Sequence, residues 1–308
     1  MKRRIVQIIS TLITNPYWQG FLQTTIYKGD LKRICNPGMQ CYSCPSSITA
    51  CPLGALQNAL ANFRDTLLSG HFNFGFFMVG FFGILGMIFG RFICGFFCPF
   101  GFLQDILYKI PTVKIKLPDW TRHLKYFLFF GLVIFLPIFM SFYQVSFCDE
   151  LGRLNWYPSL SENKSGATYP WYCKMVCPVG TFEAGLPKVI GEPEIRESLS
   201  FWFQLKWTIM VLFLFLIVVA PRAFCRIGCP IGAIYGFFNK NSLYQLKIDC
   251  NSCTKCGLCE KNCPMEIKIH ENPGSAECVR CLKCVDECPK NLIKAGFLKN
   301  EQTGNNKS

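Results

Sequence analysis

The chain alternates between long apolar stretches and short segments that are rich in cysteine, proline and glycine. Three apolar stretches, residues 72–90, 124–145 and 201–220, carry at most a single charge near one end. A helix needs roughly 20 apolar residues to cross the hydrocarbon core, and buried core helices are usually shorter. We therefore predict that each of the three stretches spans a membrane.

A fourth and weaker span is predicted at residues 5–27, where Asn15 and Pro16 interrupt the apolar pattern. Four spans would place both termini on the same side. Segment 91–122 carries five basic residues in 32, whereas segment 146–200 carries five in 55. Because basic residues favour the cytoplasmic side, the first segment is predicted to lie inside and the second outside. The sequence thus predicts a multi-pass protein of the cytoplasmic (inner) membrane.

Composition supports a membrane protein with metal-binding cysteines. Of the 308 residues, 51% are hydrophobic and 17% are charged, and 20 are cysteines. The net charge of +13 is not concentrated on one helix or loop, which indicates membrane anchoring and not nucleic-acid binding. The cysteine spacings are those of metal sites, which suggests a reducing or anaerobic setting. No Ser–His–Asp set, Walker loop or Rossmann fingerprint occurs.

Two consecutive C-x2-C-x2-C-x3-C-P runs occupy the C-terminal region, the first beginning at Cys253 and the second at Cys278. Each run is the pattern that binds [4Fe–4S] clusters, with its fourth cysteine ligating the other cluster. The predicted ligands are Cys253, Cys256, Cys259 and Cys288 for cluster 1, and Cys278, Cys281, Cys284 and Cys263 for cluster 2. Zinc knuckles are the alternative, but they usually show cysteine pairs or cysteine with histidine.

A second pattern, R-x2-C-x3-C-P-x-G, occurs at Arg91 and again at Arg222, each time after an apolar stretch. Shorter Cys-Pro-x-Gly sequences occur at residues 51–54 and 177–180. The order predicts two tandem halves, about 1–115 and 116–240, related by a pseudo-twofold axis along the membrane normal. This axis would bring together four thiols that could hold a metal or a further cluster: Cys94, Cys98, Cys225 and Cys229. The alternative is that they are buried packing thiols.

Two more cysteine groups fall on the predicted outer side. The first is Cys35, Cys41, Cys44 and Cys51, which could hold a cluster or zinc, form two disulfides, or remain free thiols. The second and weaker candidate has three thiols, Cys148, Cys173 and Cys177, and would need a further ligand such as Asp149 or Glu183.

Together these features predict a mainly α membrane protein with about four transmembrane helices in two tandem halves. A small α+β, bacterial-type two-cluster ferredoxin domain would follow. The expected boundaries are 1–240 for the membrane domain, 241–297 for the ferredoxin domain and 298–308 for a disordered tail. The ferredoxin domain is expected on the cytoplasmic side.

The two motif pairs, at Arg91 and Arg222 and at Cys253 and Cys278, resemble those of the membrane polyferredoxin family. That family includes NapH-type subunits of nitrate reductase systems, regulators of nitrous-oxide reductase and an oxidase-assembly factor for copper. The resemblance implies four spans, a cytoplasmic ferredoxin domain, and quinol oxidation or passage of electrons across the membrane. The outer cysteine groups depart from the family, and no flavin-bearing outer domain is expected.

The expected function is electron transfer between a quinol or cytoplasmic donor and a partner reductase. Such a protein would be a subunit of an oxidoreductase system and not a stand-alone enzyme. Its cofactors would be two [4Fe–4S] clusters, with further clusters in the membrane part as an open question. Its partners would be the membrane, a redox protein and a quinone. The alternatives are a metal- or thiol-reducing assembly factor and a redox-sensing regulator.

Overall fold

A computed structural model describes residues 2–23, 25–68, 75–143, 170–192, 201–249 and 252–297. The expected disordered tail, Cys148 and Asp149 lie outside these residues. The helices of the first half are α1 Lys2–Thr14, α2 Gln19–Gln23, α3 Pro52–Ala61, α4 Phe63–Leu68, α5 Phe76–Phe89, α6 Phe92–Phe96 and α7 Pro99–Leu107, with a 3-10 turn at Asp30–Arg33.

The second half begins with one continuous helix made of α8 Thr121–Leu128, a π-helical segment Phe129–Phe135 and α9 Leu136–Tyr143. Its remaining helical elements are α10 Trp171–Met175, α11 Pro178–Gly180, the π-helical segment Thr181–Gly185, α12 Leu186–Gly191, α13 Phe201–Val219, α14 Ala223–Ile227 and α15 Pro230–Phe238.

The ferredoxin region is a hairpin that encloses two short helices. Strands β1 Tyr244–Ile248 and β2 Ile293–Phe297 pair antiparallel, and helices α16 Leu258–Lys261 and α17 Lys283–Asp286 lie between them in the chain. Leu246 and Ile293 are buried on one face of the hairpin. They belong to the same core cluster as residues of both preceding halves, so the ferredoxin region packs directly against them.

The prediction of four transmembrane helices is wrong. Within the described residues, one helix is long and apolar enough to cross a membrane, the 22-residue helix Thr121–Phe142. Helix α5 has 14 residues, which is about 21 Å at the usual rise and short of a ~30 Å hydrocarbon core. The apolar stretch of α13, Phe203–Val219, is also below this length. Helix α1 ends at Thr14, before the Asn-Pro step inside the predicted weak span.

Hydropathy could not reveal where these helices begin and end. Gly75 and Gly90 have φ angles of 44° and 55°, a left-handed region that favours glycine, and they bound α5 at both ends. The apolar run in the sequence is therefore longer than the helix built from it. The helix Thr121–Phe142 differs from a core helix because only 28% of its apolar window is buried.

A common turn recurs wherever the sequence reads Cys-Pro-x-Gly. In all four copies the cysteine is the N-cap of the following helix, with φ between −62° and −88° and ψ between 107° and 120°. Proline is favoured at the first helical position and disfavours helical geometry in the residue before it. The four N-cap cysteines are Cys51, Cys98, Cys177 and Cys229.

The two R-x2-C-x3-C-P-x-G motifs contact each other through their arginines. Arg91 Nη2 donates to the carbonyl oxygen of Cys225 at 3.3 Å, and Arg222 Nη1 donates to that of Cys94 at 3.0 Å. Each arginine therefore binds the backbone of the other motif. Both side chains are at most 1% exposed.

A carboxylate balances each of these two arginines. Arg222 makes a two-pronged pair with Asp105, with Nε–Oδ1 at 3.1 Å and Nη2–Oδ2 at 2.8 Å, and Arg3 also contacts Asp105. Burial alone would raise the pKa of Asp105, but Arg222 and Arg3 outweigh it and hold that pKa well below its usual range. Arg91 pairs with Glu277 of the ferredoxin region at 3.0 Å.

We expect Asp105→Asn to lower the free energy of unfolding by about 3 kcal/mol, because it leaves the Arg222 charge buried without its partner. The matched control is Asp119→Asn, since Asp119 pairs with Arg122 but is 83% exposed, and its loss should cost less than about 0.5 kcal/mol. Denaturant unfolding in detergent, followed by circular dichroism, measures both. Equal effects of the two changes would contradict the structural importance of the buried pair.

Candidate metal centres

The structure describes 18 cysteines, and none of these 18 forms a disulfide. Sixteen of them fall into four groups of four. Two groups lie in the ferredoxin region, and two lie in the helical halves. Cys35 and Cys44 line none of the three cavities described below.

The first ferredoxin cavity is lined by the triplet of the first run and the last cysteine of the second: Cys253, Cys256, Cys259 and Cys288. The second is lined by the triplet of the second run and by cysteines of the first: Cys278, Cys281, Cys284, Cys263 and Cys259. The fourth cysteine of each run thus lines the cavity of the other triplet. Cys259 lines both cavities, so they are adjacent.

The two ferredoxin loops wrap their cavities in the same way. Lys255 and Gly257 have φ angles of 51° and 75°, and the equivalent residues Arg280 and Leu282 have 48° and 64°. Left-handed residues at both positions curl the loop so that three thiols face one space. Arg280 is 2% exposed and donates to the backbone carbonyl of Phe89 at 3.1 Å, which holds its loop against helix α5.

We call the four thiols of the two R-x2-C-x3-C-P-x-G motifs, whose arginines bind each other's backbone, the proximal site: Cys94, Cys98, Cys225 and Cys229. All four are buried. The Sγ of Cys98 accepts hydrogen bonds from the backbone N–H of Gly101 and of Met39, both at 3.3 Å. Gln104 Nε2 donates to the Sγ of Cys225 at 3.2 Å.

Burial dominates the chemistry of these thiols. It raises the pKa of Cys98 to about 12, and the neighbouring Cys225 and Cys94 add to the rise. For Cys94, burial also raises the pKa, although Arg91 and Arg222 oppose it. Without metal, the thiols of Cys94 and Cys98 are therefore neutral near pH 7. Binding of iron would displace their protons, because the thiolate is the ligand.

The proximal site touches the second ferredoxin cavity. A Cβ built on Gly95, the residue after Cys94, would lie only 2.5 Å from the carbonyl oxygen of Val279 and 3.7 Å from the Cα of Cys281. Only glycine permits this approach of two backbones. The polypeptide beside one proximal thiol is therefore packed against the loop that carries Cys281.

A second group of thiols in the helical halves, which we call the distal site, lines a cavity of about 550 Å³: Cys41, Cys51, Cys173 and Cys177. This grouping differs from the two outer groups expected from the sequence. Neither Cys35 nor Cys44 lines the cavity. The Sγ of Cys35 lies 4.0 Å from the Sδ of Met78, and that of Cys44 lies 3.3 Å from the Oγ of Ser46.

Glu183, a further ligand expected for the second outer group, lies next to the distal site. Its carboxylate accepts a hydrogen bond from the backbone N–H of Cys41 at 2.7 Å. Burial raises the pKa of Glu183 to about 7, although this hydrogen bond opposes the rise. Glu183 therefore holds the loop of Cys41 against the second half.

Tyr172 and Met39 lie between the distal and proximal sites. Tyr172 is fully buried next to Cys173, and its hydroxyl donates to the carbonyl oxygen of Gly228, beside Cys229, at 2.6 Å. Met39 lines the distal cavity and donates its backbone N–H to Cys98. Sequence reasoning did not single out Tyr172 or Gln104, because neither belongs to a cysteine motif.

The comparisons with known proteins identify the chain as an iron–sulfur protein. A family described as a 4Fe-4S binding domain matches residues 70–118, 169–192 and 201–249. These segments include the proximal thiols together with Cys173 and Cys177.

Similar proteins extend the match. An uncharacterized protein of Methanocaldococcus jannaschii is 30% identical over 224 residues, which cover 70% of this chain and 75% of the relative. The ferredoxin-type protein NapH of Haemophilus influenzae is 33% identical over 100 residues, 29% of this chain and 34% of that protein. The putative electron transport protein YccM of Escherichia coli is 38% identical over 70 residues, 22% of this chain and 20% of that protein.

The chain belongs to the polyferredoxin family of iron–sulfur proteins, and it binds [4Fe–4S] clusters. Its role is iron–sulfur electron transfer. No solved structure matches the chain.

The cavity linings lead to a prediction about the crossed ligands. Cys263→Ser should alter the same electron paramagnetic resonance signal as Cys281→Ser, because both thiols line the second cavity. Cys288→Ser should alter the same signal as Cys256→Ser, because both line the first. Spectra of the anaerobically reduced full-length protein provide the measurement. A Cys263→Ser change that alters the Cys256 signal instead would contradict the crossed arrangement.

Proposed function

We propose that the protein relays electrons through adjacent clusters between a quinol or cytoplasmic donor and a partner reductase. The observation that carries this proposal is the contact of Gly95, beside proximal Cys94, with Val279 and Cys281 of the second ferredoxin cavity. This contact leaves no intervening layer of side chains between the two backbones. Electron transfer between neighbouring clusters would use this close approach.

In this proposal each triplet shares its cluster with the fourth cysteine of the other run. Cluster 1 has Cys253, Cys256, Cys259 and Cys288 as ligands, and cluster 2 has Cys278, Cys281, Cys284 and Cys263. The cavity linings support both sets. The proximal site holds a further cluster, which its four buried thiols support.

The electron balance is simple. A quinol gives up two electrons and two protons and becomes a quinone, and each electron reduces one cluster by one unit of charge. A reduced cluster returns to its oxidised form when it passes its electron to a neighbour or to the partner reductase. No covalent bond to the protein forms or breaks.

The burial of the proximal thiols favours this proposal over a metal- or thiol-reducing factor. Their exposed fractions are between 5% and 7%, so an incoming metal ion or disulfide would not reach a sulfur atom without opening the core. Electrons need no such access. A redox-sensing regulator would not carry a net flow of electrons, whereas a relay would. The quinol experiment below measures this flow.

We further propose that the helix Thr121–Phe142 anchors the protein in the cytoplasmic membrane, with the ferredoxin domain on the cytoplasmic side. Most of its apolar window is not buried by the protein, which suits contact with lipid. Its basic end carries Arg122 and Lys125, which contact Glu266 and Glu277 of the ferredoxin region. Because basic residues favour the cytoplasmic side, that end and the ferredoxin region would lie there together.

The rate at which quinol reduces the ferredoxin clusters tests the relay. In liposomes that contain a menaquinol analogue, Cys225→Ser should slow reduction of the ferredoxin clusters at least tenfold, because it removes a proximal ligand. Dithionite in solution should still reduce them. Cys35→Ser is the matched control, since Cys35 is also buried but belongs to none of the four groups, and it should leave the rate unchanged. Equal rates in both variants would contradict a relay through the proximal site.

Protease access tests the orientation. Trypsin should remove the ferredoxin region from inverted membrane vesicles and leave it intact in spheroplasts, because the many lysines of the region would face the cytoplasm. Immunoblotting against a C-terminal tag reports the cleavage. Loss of the tag in intact spheroplasts would place the ferredoxin region outside and overturn the proposed orientation.

A further inference from the structure

The distal cavity brings together thiols from two distant parts of the chain. Cys41 lies on a loop, Cys51 caps α3, Cys173 lies within α10 and Cys177 caps α11. Two thiols thus come from each half of the chain, as in the proximal site. A cysteine-rich loop alone would not bring these thiols together, because they lie far apart in the sequence.

Several contacts show how tightly these segments approach one another. A Cβ on Gly180 would lie 3.6 Å from the Sγ of Cys41 and 3.8 Å from the Nζ of Lys206. Gln57 Nε2 donates toward the Sγ of Cys173 at 3.6 Å. The carboxylate of Glu183 holds the Cys41 backbone, so the loop from the first half is fixed to the second half.

The distal site is built like the proximal site. In both, two of the thiols precede a proline and lie at the N-cap of the helix that follows. In the proximal site the sulfurs of these two thiols, Cys98 and Cys229, also accept hydrogen bonds from the backbone N–H of Gly101 and Gly232. Hydrogen bonds to the sulfurs are among the features that tune [4Fe–4S] clusters.

The size of the cavity and its charge indicate what it binds. Four thiolates are soft ligands that suit zinc or an iron–sulfur cluster. A structural zinc site closes tightly around one ion, whereas this space measures about 550 Å³. Three lysines line it, Lys174, Lys188 and Lys206. Their charges would offset the net negative charge of a cube that is ligated by four thiolates.

We infer that Cys41, Cys51, Cys173 and Cys177 hold a further [4Fe–4S] cluster, which forms the end of the relay farthest from the ferredoxin domain. The place of this cluster in a relay rests on the proposed function, which the inference deepens. The cluster-binding site itself does not depend on the proposed function. Tyr172 and Met39 connect this site to the proximal site. The exposed Tyr42 and Lys174 at the cavity wall would give a redox partner access to it.

The test compares cysteines that line the cavity with cysteines that do not. In the full-length protein, purified anaerobically, Cys41→Ser and Cys173→Ser should each lose about four irons and four sulfides per chain. Cys44→Ser and Cys35→Ser are the matched controls, because they lie in the same segment as Cys41 and are buried. They should keep the wild-type content.

Retention of the ferredoxin signals in electron paramagnetic resonance checks that the variants fold. Full iron content in Cys41→Ser and Cys173→Ser, an equal loss in Cys44→Ser, or stoichiometric zinc in the wild type would each overturn the inference. If the distal variants keep their iron while Cys225→Ser still slows reduction of the ferredoxin clusters by quinol, the distal cluster is refuted and the proposed function stands.

A milder variant covers the case in which the cysteine changes prevent folding. Lys206→Gln should lower the midpoint potential of one cluster and leave the others unchanged, because it removes a positive charge that favours the reduced form. Lys188→Gln, which also removes a lysine that lines the cavity, should lower the midpoint potential of the same cluster. Potentials that are all unchanged in both variants would count against a cluster in this cavity.

Discussion

The structure depends on two buried arginines that cross between its halves. Arg91 and Arg222 each bind the backbone carbonyl of a cysteine in the other motif, and each needs a carboxylate, because an unpaired buried charge costs several kcal/mol. Asp105 balances Arg222 within the helical part, whereas Glu277 balances Arg91 from the ferredoxin region. Burial would raise the pKa of Glu277, but Arg91 and Lys125 outweigh it and lower that pKa to about 2. The same charges therefore assemble the proximal site and hold the ferredoxin region against it.

A repeated turn supplies thiols to the proximal and distal sites. Each Cys-Pro-x-Gly sequence starts a helix, and in the copies at Cys98 and Cys229 the glycine N–H donates to the sulfur of the cysteine. The four copies pair as Cys98 with Cys229 and as Cys51 with Cys177. The second pair, with Cys41 and Cys173, forms a site beyond the proximal one. The second ferredoxin cavity lies beside the proximal site, where Gly95 approaches Val279 and Cys281.

Sequence reasoning is most informative where cysteines are close in the chain or repeated. The double ferredoxin run names thiols that line two adjacent cavities, and the two R-x2-C-x3-C-P-x-G motifs name segments whose arginines bind each other's backbone. It failed for span number, because glycines with positive φ end α5 inside a longer apolar run. It also grouped Cys35 and Cys44 with Cys41 because they are neighbours in sequence. The partner group of Cys41 lies more than 130 residues away, although the spacing Cys173-x3-Cys177-Pro matched that of Cys94-x3-Cys98-Pro.

The central claim is that four iron–sulfur centres lie in one continuous series. Anomalous diffraction at the iron absorption edge, from anaerobically grown crystals of the full-length protein, tests this claim most directly. We expect four iron peaks, one in each ferredoxin cavity, one among the proximal thiols and one among the distal thiols. Iron peaks in the ferredoxin cavities alone, with the helical thiols in van der Waals contact or bound to a single zinc ion, would contradict the account.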